Sequence, residues 1–179
     1  EVDDALGEKL STLIWDGAIE ELTLTQNAQP ALMATSIAAL RALEAEGIKI
    51  TEAADFVAGH SLGEYSALCA VGAIGLSDTA RLLRIRGQAM QEAVPVGIGA
   101  MAVLLGLDFA TATEVAAEAA GDEVCQAAND NDPLQVVVSG HKAAVERALE
   151  IAKARGAKRA MLLPVSAPFH CSLMQHAAA

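Results

Sequence analysis

A short apolar run, Phe56-Val57-Ala58, stops abruptly at Gly59-His60-Ser61-Leu62-Gly63, and the stretch Ser66 to Val71, rich in small residues, follows at once. Few folds accept that order. A strand that ends in a sharp turn and passes directly into a helix belongs to α/β architecture. The spacing G-x-S-x-G fits a nucleophile elbow. Its glycines let neighbouring backbone approach without a Cβ clash, and the turn exposes the Ser61 hydroxyl. The N–H groups of the following helix then point at the reacting centre. The alternative is an ordinary turn in which Ser61 caps the helix.

Around this feature the punctuation predicts further elements. Pro30 and Gly47 bracket apolar side chains on a helical period over 31–46. A helix over 78–93 is opened by Ser77 or Asp78 and stopped by Pro95. Beyond residue 99 the texture changes. Residues 100–105, 124–128, 134–139 and 158–163 read as strands, and 111–120 and 141–154 read as helices. The order β-α-β-β-α-β is that of a ferredoxin-like split βαβ unit. The expected organisation is therefore a small ferredoxin-like subdomain, 97–165, inserted into a larger α/β unit formed by 1–96 and 166–179.

Composition narrows the function classes. The 179 residues are 53% hydrophobic, enough for a real core, yet no apolar run reaches the length of a membrane span. A formal charge of −11 disfavours nucleic acid as the main partner. The bases are unevenly placed: Lys142, Arg147, Lys153, Arg155, Lys158 and Arg159 fall within 141–159 against only Glu146 and Glu150, a local +4. This is either a docking surface for an acidic partner or a solvated helix face. Cys69, Cys125 and Cys171 form no CxxC, which points to reduced thiols and not to a metal site. The opening Glu1-Val2-Asp3-Asp4 carries no basic or apolar leader region, so a cytoplasmic location is expected.

A serine nucleophile needs a base. His60 adjoins Ser61 but should point away from its hydroxyl, leaving it a place in the pocket lining. His141 opens a helix, where capping or exposure is the natural reading. His176 lies in an Ala-rich tail read as frayed. His170 sits in Pro164-Val165-Ser166-Ala167-Pro168-Phe169-His170-Cys171, where two prolines would hold an imidazole in place. A plain loop histidine is the alternative.

Four motifs in order then resemble one family. They are GHSLGEYSAL, the helix carrying Arg86-Gly87-Gln88-Ala89-Met90-Gln91, the segment Asn129-Asp130-Asn131-Asp132-Pro133-Leu134-Gln135, and PVSAPFHCSLM. Together they look like the malonyl-CoA:acyl carrier protein transacylases of bacterial fatty acid synthesis. The resemblance implies a hydrolase-like parallel-sheet core with a ferredoxin-like insert. It implies Ser61 as nucleophile, His170 as general base and acid, and the Leu62 N–H in the oxyanion hole. Arg86, which by itself reads as a solvated helix arginine, would hold the free malonyl carboxylate through a bidentate pair. Gln29, His60, Asn129 and Asn131 would line or support the pocket. Phe169 either narrows it against an α-methyl group or simply packs. Lys142, Arg147, Lys153 and Arg155 would meet the acidic carrier protein.

The resemblance further implies ping-pong transfer from malonyl-CoA to the carrier thiol, with no cofactor beyond the CoA thioester, no metal, and a monomer. The family carries a Gly-Gln-Gly-Ser-Gln segment ahead of the matched region and further chain behind it. This chain is accordingly expected to be an internal fragment, poorly stable and nearly inactive alone. The other readings are an acyltransferase domain of a polyketide-type synthase, a serine esterase or thioesterase, and a non-catalytic carrier-binding module.

Overall fold

A computed structural model describes residues 1–178. Compactness divides the chain between Gln88 and Ala89.

Residues 1–88 hold α1 (Val2–Leu6), α2 (Leu10–Asp16), α3 (Ile19–Leu22), α4 (Thr25–Ala45), α5 (Ile50–Ala53), α6 (Gly63–Ala70) and the first part of α7 (Leu76–Ala93). Buried Met33 and Ile37 of α4, Cys69 of α6, and Ala80 and Leu83 of α7 form the core, with Val2, Ala5 and Leu6 of α1 packed against it. Two helix starts differ from expectation. The helix predicted from residue 31 begins at Thr25, so Pro30 lies inside it and not before it. An interior proline leaves the carbonyl four residues back without its N–H donor. That carbonyl belongs to Gln26, and Arg84 Nη1 takes it at 2.6 Å. The helix predicted from residue 78 begins at Leu76, with the Gly75 carbonyl accepting from both Thr79 N and Thr79 Oγ1 at 2.9 Å.

The expected strand Phe56–Ala58 does not form: among the described residues of this unit no strand runs beside it, and Phe56 is 92% exposed. A strand exists only through a neighbour that shares its N–H and C=O groups. The parallel sheet expected around the elbow therefore has no ladder within residues 1–88.

Residues 89–178 contain the expected ferredoxin-like order: β1 (Gly99–Leu105), α8 (Phe109–Ala120), β2 (Cys125–Asp132), β3 (Gln135–His141), α9 (Lys142–Ala154) and β4 (Arg159–Leu162). The sheet order is β2-β3-β1-β4, every neighbouring pair antiparallel. β3 thus splits the parallel pair β1 and β2, as a split βαβ unit requires. Asp108 caps α8, accepting from Thr111 N at 2.8 Å. β2 runs further than expected, to Asp132, with register shifts between Ala127 and Asn129 and between Asp130 and Asp132.

The register assigns the two faces. Ala102, Leu104, Val136, Val138 and Cys125 point at α8 and α9, where Ala112, Val115, Ala116, Ala144, Val145 and Ala148 meet them in a core of small side chains. Small residues let both helices lie close to the sheet. The other face carries Met101, Val103 and Val137, covered by Leu163 and Phe169. The flanking segments 89–96 and 166–178, both read outside the insert, pack on one another through Met90, Val94, Ala167 and Met174. His176 lies in a 3₁₀ helix, Ser172–Ala177, and not in a frayed tail.

Burial pushes the Cys125 thiol up to about 11, so it stays a thiol at neutral pH. Cys171 is less enclosed. At pH 8 a thiol reagent should modify Cys171 in the native protein and reach Cys125 only on unfolding, as peptide mapping will show. Leu104→Ala, at a side chain with no exposure, should cost about 3 kcal/mol and lower the urea midpoint of this unit. Leu162→Ala, at a site 41% exposed, should cost under about 1 kcal/mol.

Candidate active site

Ser61 sits at φ 55°, in the left-handed region that side chains other than glycine rarely enter. His170, at φ 59°, is the other non-glycine residue with positive φ among the described residues. Such conformations cost about 1–3 kcal/mol each and persist where the surroundings over-determine them, commonly at functional sites. The two residues singled out as nucleophile and base are therefore the two strained ones.

The elbow is held by a backbone contact. A Cβ on Gly59 would lie 1.9 Å from the carbonyl carbon and oxygen of Gly63. Gly63 N donates to the His60 carbonyl at 2.9 Å and Glu64 N to the Ser61 carbonyl at 3.2 Å, closing the turn into α6. Leu62 follows Ser61 as the residue that enters α6, its φ and ψ already helical. His60 is exposed.

Arg86 is brought to Ser61 by α7. Its Nη2 donates to Ser61 Oγ at 3.0 Å, and its Nη1 donates to Gln29 Oε1. Gln29 is buried, and its Nε2 donates to Thr25 Oγ1 at 2.7 Å, which fixes the amide's orientation. The guanidinium carbon lies 5.9 Å from the centre of the Tyr65 ring. Arg86 is thus no solvated helix arginine. Gly87 makes this possible: a Cβ there would lie 2.5 Å from Gln26 Cα, so α7 and α4 approach as closely as bare backbone allows. The structure thus brings together Ser61, Arg86 and Gln29, and adds Tyr65, which the sequence analysis did not single out and which lies in the first turn of α6.

In residues 89–178 the histidine loop lies on the open face of the sheet. Gly99 lets Pro168 lie flat on β1, since a Cβ there would fall 2.2 Å from the Pro168 ring. Phe169 is partly buried and packs against two clusters, that of Met101, Val103 and Val137 and that of Met90 and Val94. Ser172 N donates to Gln126 Oε1 at 2.7 Å, anchoring the far side of His170 to β2. Gln126 was not anticipated; only the tertiary register reveals it. Asn129 pairs with Val137, on the face that Phe169 covers, whereas Asn131 falls in the irregularity between Asp130 and Asp132 and is exposed. His141 holds the N-cap position of α9 without a side-chain cap bond; its Nδ1 instead accepts from Val124 N at 2.9 Å.

The expected docking cations are mostly engaged within their own unit. Arg155 pairs with Glu114 at 2.7 Å and Glu118 at 2.5 Å, and Lys153 with Glu150 at 2.7 Å. Arg147 donates to the Ala119 and Ala120 carbonyls at the end of α8 and pairs with Glu123 at 2.8 Å. Among the described residues Lys142, Lys158 and Arg159 have no ion-pair partner. The local surplus is therefore carried by those three. No group of acidic, histidine or cysteine side chains suited to a metal occurs among the described residues, and no helix is long and apolar enough to cross a membrane.

The acyl transferase domain family matches residues 1–179. The chain belongs to that family. Among curated acyl transferase relatives, the malonyl CoA-acyl carrier protein transacylase of Bacillus subtilis (strain 168) is 51% identical over 179 residues, covering 99% of this chain and 55% of that protein. Its counterpart in Escherichia coli (strain K12) is 51% identical over 178 residues, covering 99% and 57%. The crystal structure of an acyl-carrier-protein-S-malonyltransferase from Bartonella henselae aligns with TM-score 0.92 at 60% identity, covering 99% of this chain and 56% of that one. A malonyl-transacylase solved in complex with its type II polyketide-synthase acyl carrier protein aligns with TM-score 0.92 at 47% identity, covering 99% and 56%. The α/β fold is thus that of malonyltransferase structures. The chain spans little more than half the length of the relatives it matches.

Gly59→Ala should slow labelling of Ser61 by a serine-directed fluorophosphonate about a hundredfold, because the elbow must open to admit the methyl group. Gly63→Ala, whose added Cβ meets nothing within 4 Å, should label at close to the parent rate in the same gel assay.

Proposed function

We propose that this chain carries the acyl-transfer site of a malonyl-CoA:acyl carrier protein transacylase of fatty acid synthesis. The observation that carries the reading is the Arg86 guanidinium, hydrogen-bonded to Ser61 Oγ at 3.0 Å and oriented by Gln29. A hydrolase that accepts plain acyl chains has no use for a cation at that point. An acyl group ending in a carboxylate does, and a planar guanidinium grips it through two parallel hydrogen bonds.

In the proposed cycle, Ser61 Oγ attacks the thioester carbonyl of malonyl-CoA while His170 takes the hydroxyl proton. The Leu62 N–H stabilises the oxyanion. As the C–S bond breaks, His170 returns its proton to the departing CoA thiolate, leaving a malonyl ester on Ser61. The carrier's phosphopantetheine thiol then attacks that ester, giving its proton to His170, which restores the Ser61 hydroxyl. Throughout, Arg86 exchanges its contact with Ser61 for one with the malonyl carboxylate. Asn129 supports the histidine face. Substrates supply all the chemistry, so no cofactor is required. The acidic carrier is met by Lys142, Lys158 and Arg159, the cations without ion-pair partners in this unit, in the cytoplasm.

Intact-protein mass spectrometry after brief mixing of the full-length protein with malonyl-CoA tests this. A malonyl adduct is expected on the parent chain, absent from Ser61→Ala, and formed roughly a hundredfold more slowly by Arg86→Ala. An adduct that survives Ser61→Ala overturns the assignment, and equal labelling by acetyl-CoA removes the role given to Arg86. Lys142→Glu should raise KM for the carrier protein and leave KM for malonyl-CoA unchanged in steady-state assays.

A further inference from the structure

The Arg84 side chain is 14% exposed and its guanidinium reaches α4 and Glu8. Its Nη1 donates to the Gln26 carbonyl at 2.6 Å and to Asn27 Oδ1, and its Nη2 pairs with Glu8. Burial lowers its basicity from the ordinary arginine value. A chain keeps a cation in such a place only where its hydrogen bonds are met, and here, beside the Glu8 carboxylate and the Asn27 amide, one acceptor is the carbonyl that Pro30 deprives of its helical partner.

The neighbourhood gives this bond a consequence. Gln29 immediately precedes Pro30, in the turn of α4 that the proline interrupts, and Gln29 is what orients Arg86. At about 100° per residue, the side chains of Arg84 and Arg86 leave α7 on either side of Gly87, the point of backbone contact with Gln26. One arginine therefore grips the damaged turn and the other uses the amide that turn presents.

We infer that Arg84 is a positioning residue: by replacing the hydrogen bond that Pro30 removes from α4, it holds Gln29, and through Gln29 the Arg86 guanidinium, in register with Ser61. The inference rests on the malonyl-transfer reading for its kinetic consequence but not for its structural one. Pro30 and Arg84 are a compensating pair. Replacing Pro30 with alanine restores an N–H for the Gln26 carbonyl and makes the guanidinium bond dispensable.

The test uses full-length protein carrying Arg84→Met, Pro30→Ala and the double substitution. In the acylation assay, Arg84→Met should lower kcat/KM for malonyl-CoA roughly tenfold relative to acetyl-CoA, the loss expected when a charge-assisted contact slackens. Adding Pro30→Ala should restore the malonyl-to-acetyl ratio to near the parent value. General destabilisation would depress both thioesters together and leave the ratio unmoved, which overturns the proposal. The second readout needs no turnover. In ¹⁵N-labelled protein the Arg86 Nη–H signals should broaden in Arg84→Met and sharpen again in the double variant. Unchanged Arg86 signals in Arg84→Met also overturn it. A parent protein that fails to transfer malonyl while its Arg86 signals follow this pattern sinks the functional reading and leaves the positioning role standing.

Discussion

Residue 87 can carry no side chain, because Gln26 backbone occupies the space, and the site in the first unit depends on that contact. Direct backbone approach of α7 to α4 brings Arg86 within reach of both Gln29 and Ser61. A long, flexible arginine loses about 2 kcal/mol of rotamer entropy when fixed. The fixing is supported by a buried amide whose own orientation is set by Thr25. Precision at the hydroxyl is thus inherited, step by step, from two helices with nothing between them.

The second recurrent theme is backbone strain placed on chemistry. Ser61 and His170 share the left-handed conformation but are held in it by different means. At Ser61 the cause is a turn folded so tightly that Gly59 touches Gly63. At His170 it is a loop pinned from both sides, with Pro168 lying on β1 and Ser172 hydrogen-bonded to Gln126. At His170 the loop turns one side chain outward while its neighbours stay packed. Ala167 and Pro168 beside His170 are buried, whereas His170 is exposed.

How much of this is legible in the sequence depends on the range of the interaction that decides it. The ferredoxin-like module reads well because its signals are local: β-branched runs and amphipathic helices. The elbow and its strained serine read from five residues. Pro30 misleads, because its usual place ahead of a helix is overridden by a guanidinium 54 positions away. The end of β2 misleads in the same way. Asn129 to Asp132 have poor intrinsic strand preference and are held by pairing with β3. Counting bases over 141–159 overstated the free charge. Lys153 with Glu150 is a visible three-residue spacing, but Arg155 with Glu114 and Glu118 depends on how α8 and α9 lie on the sheet. The serine cluster was recoverable once Arg86 was set beside the other motifs, since α7 alone offers three arginines of similar appearance.

The irregular register of β2 bears on how this chain behaves in company. A sheet edge is a template for another molecule's backbone, and β2 is one edge of this sheet. Its two displacements break the straight row of N–H and C=O groups, and Asp130 and Asp132 set charge along it. The opposite edge, β4, spans only Arg159–Leu162. The ferredoxin-like module therefore offers little purchase to a passing strand.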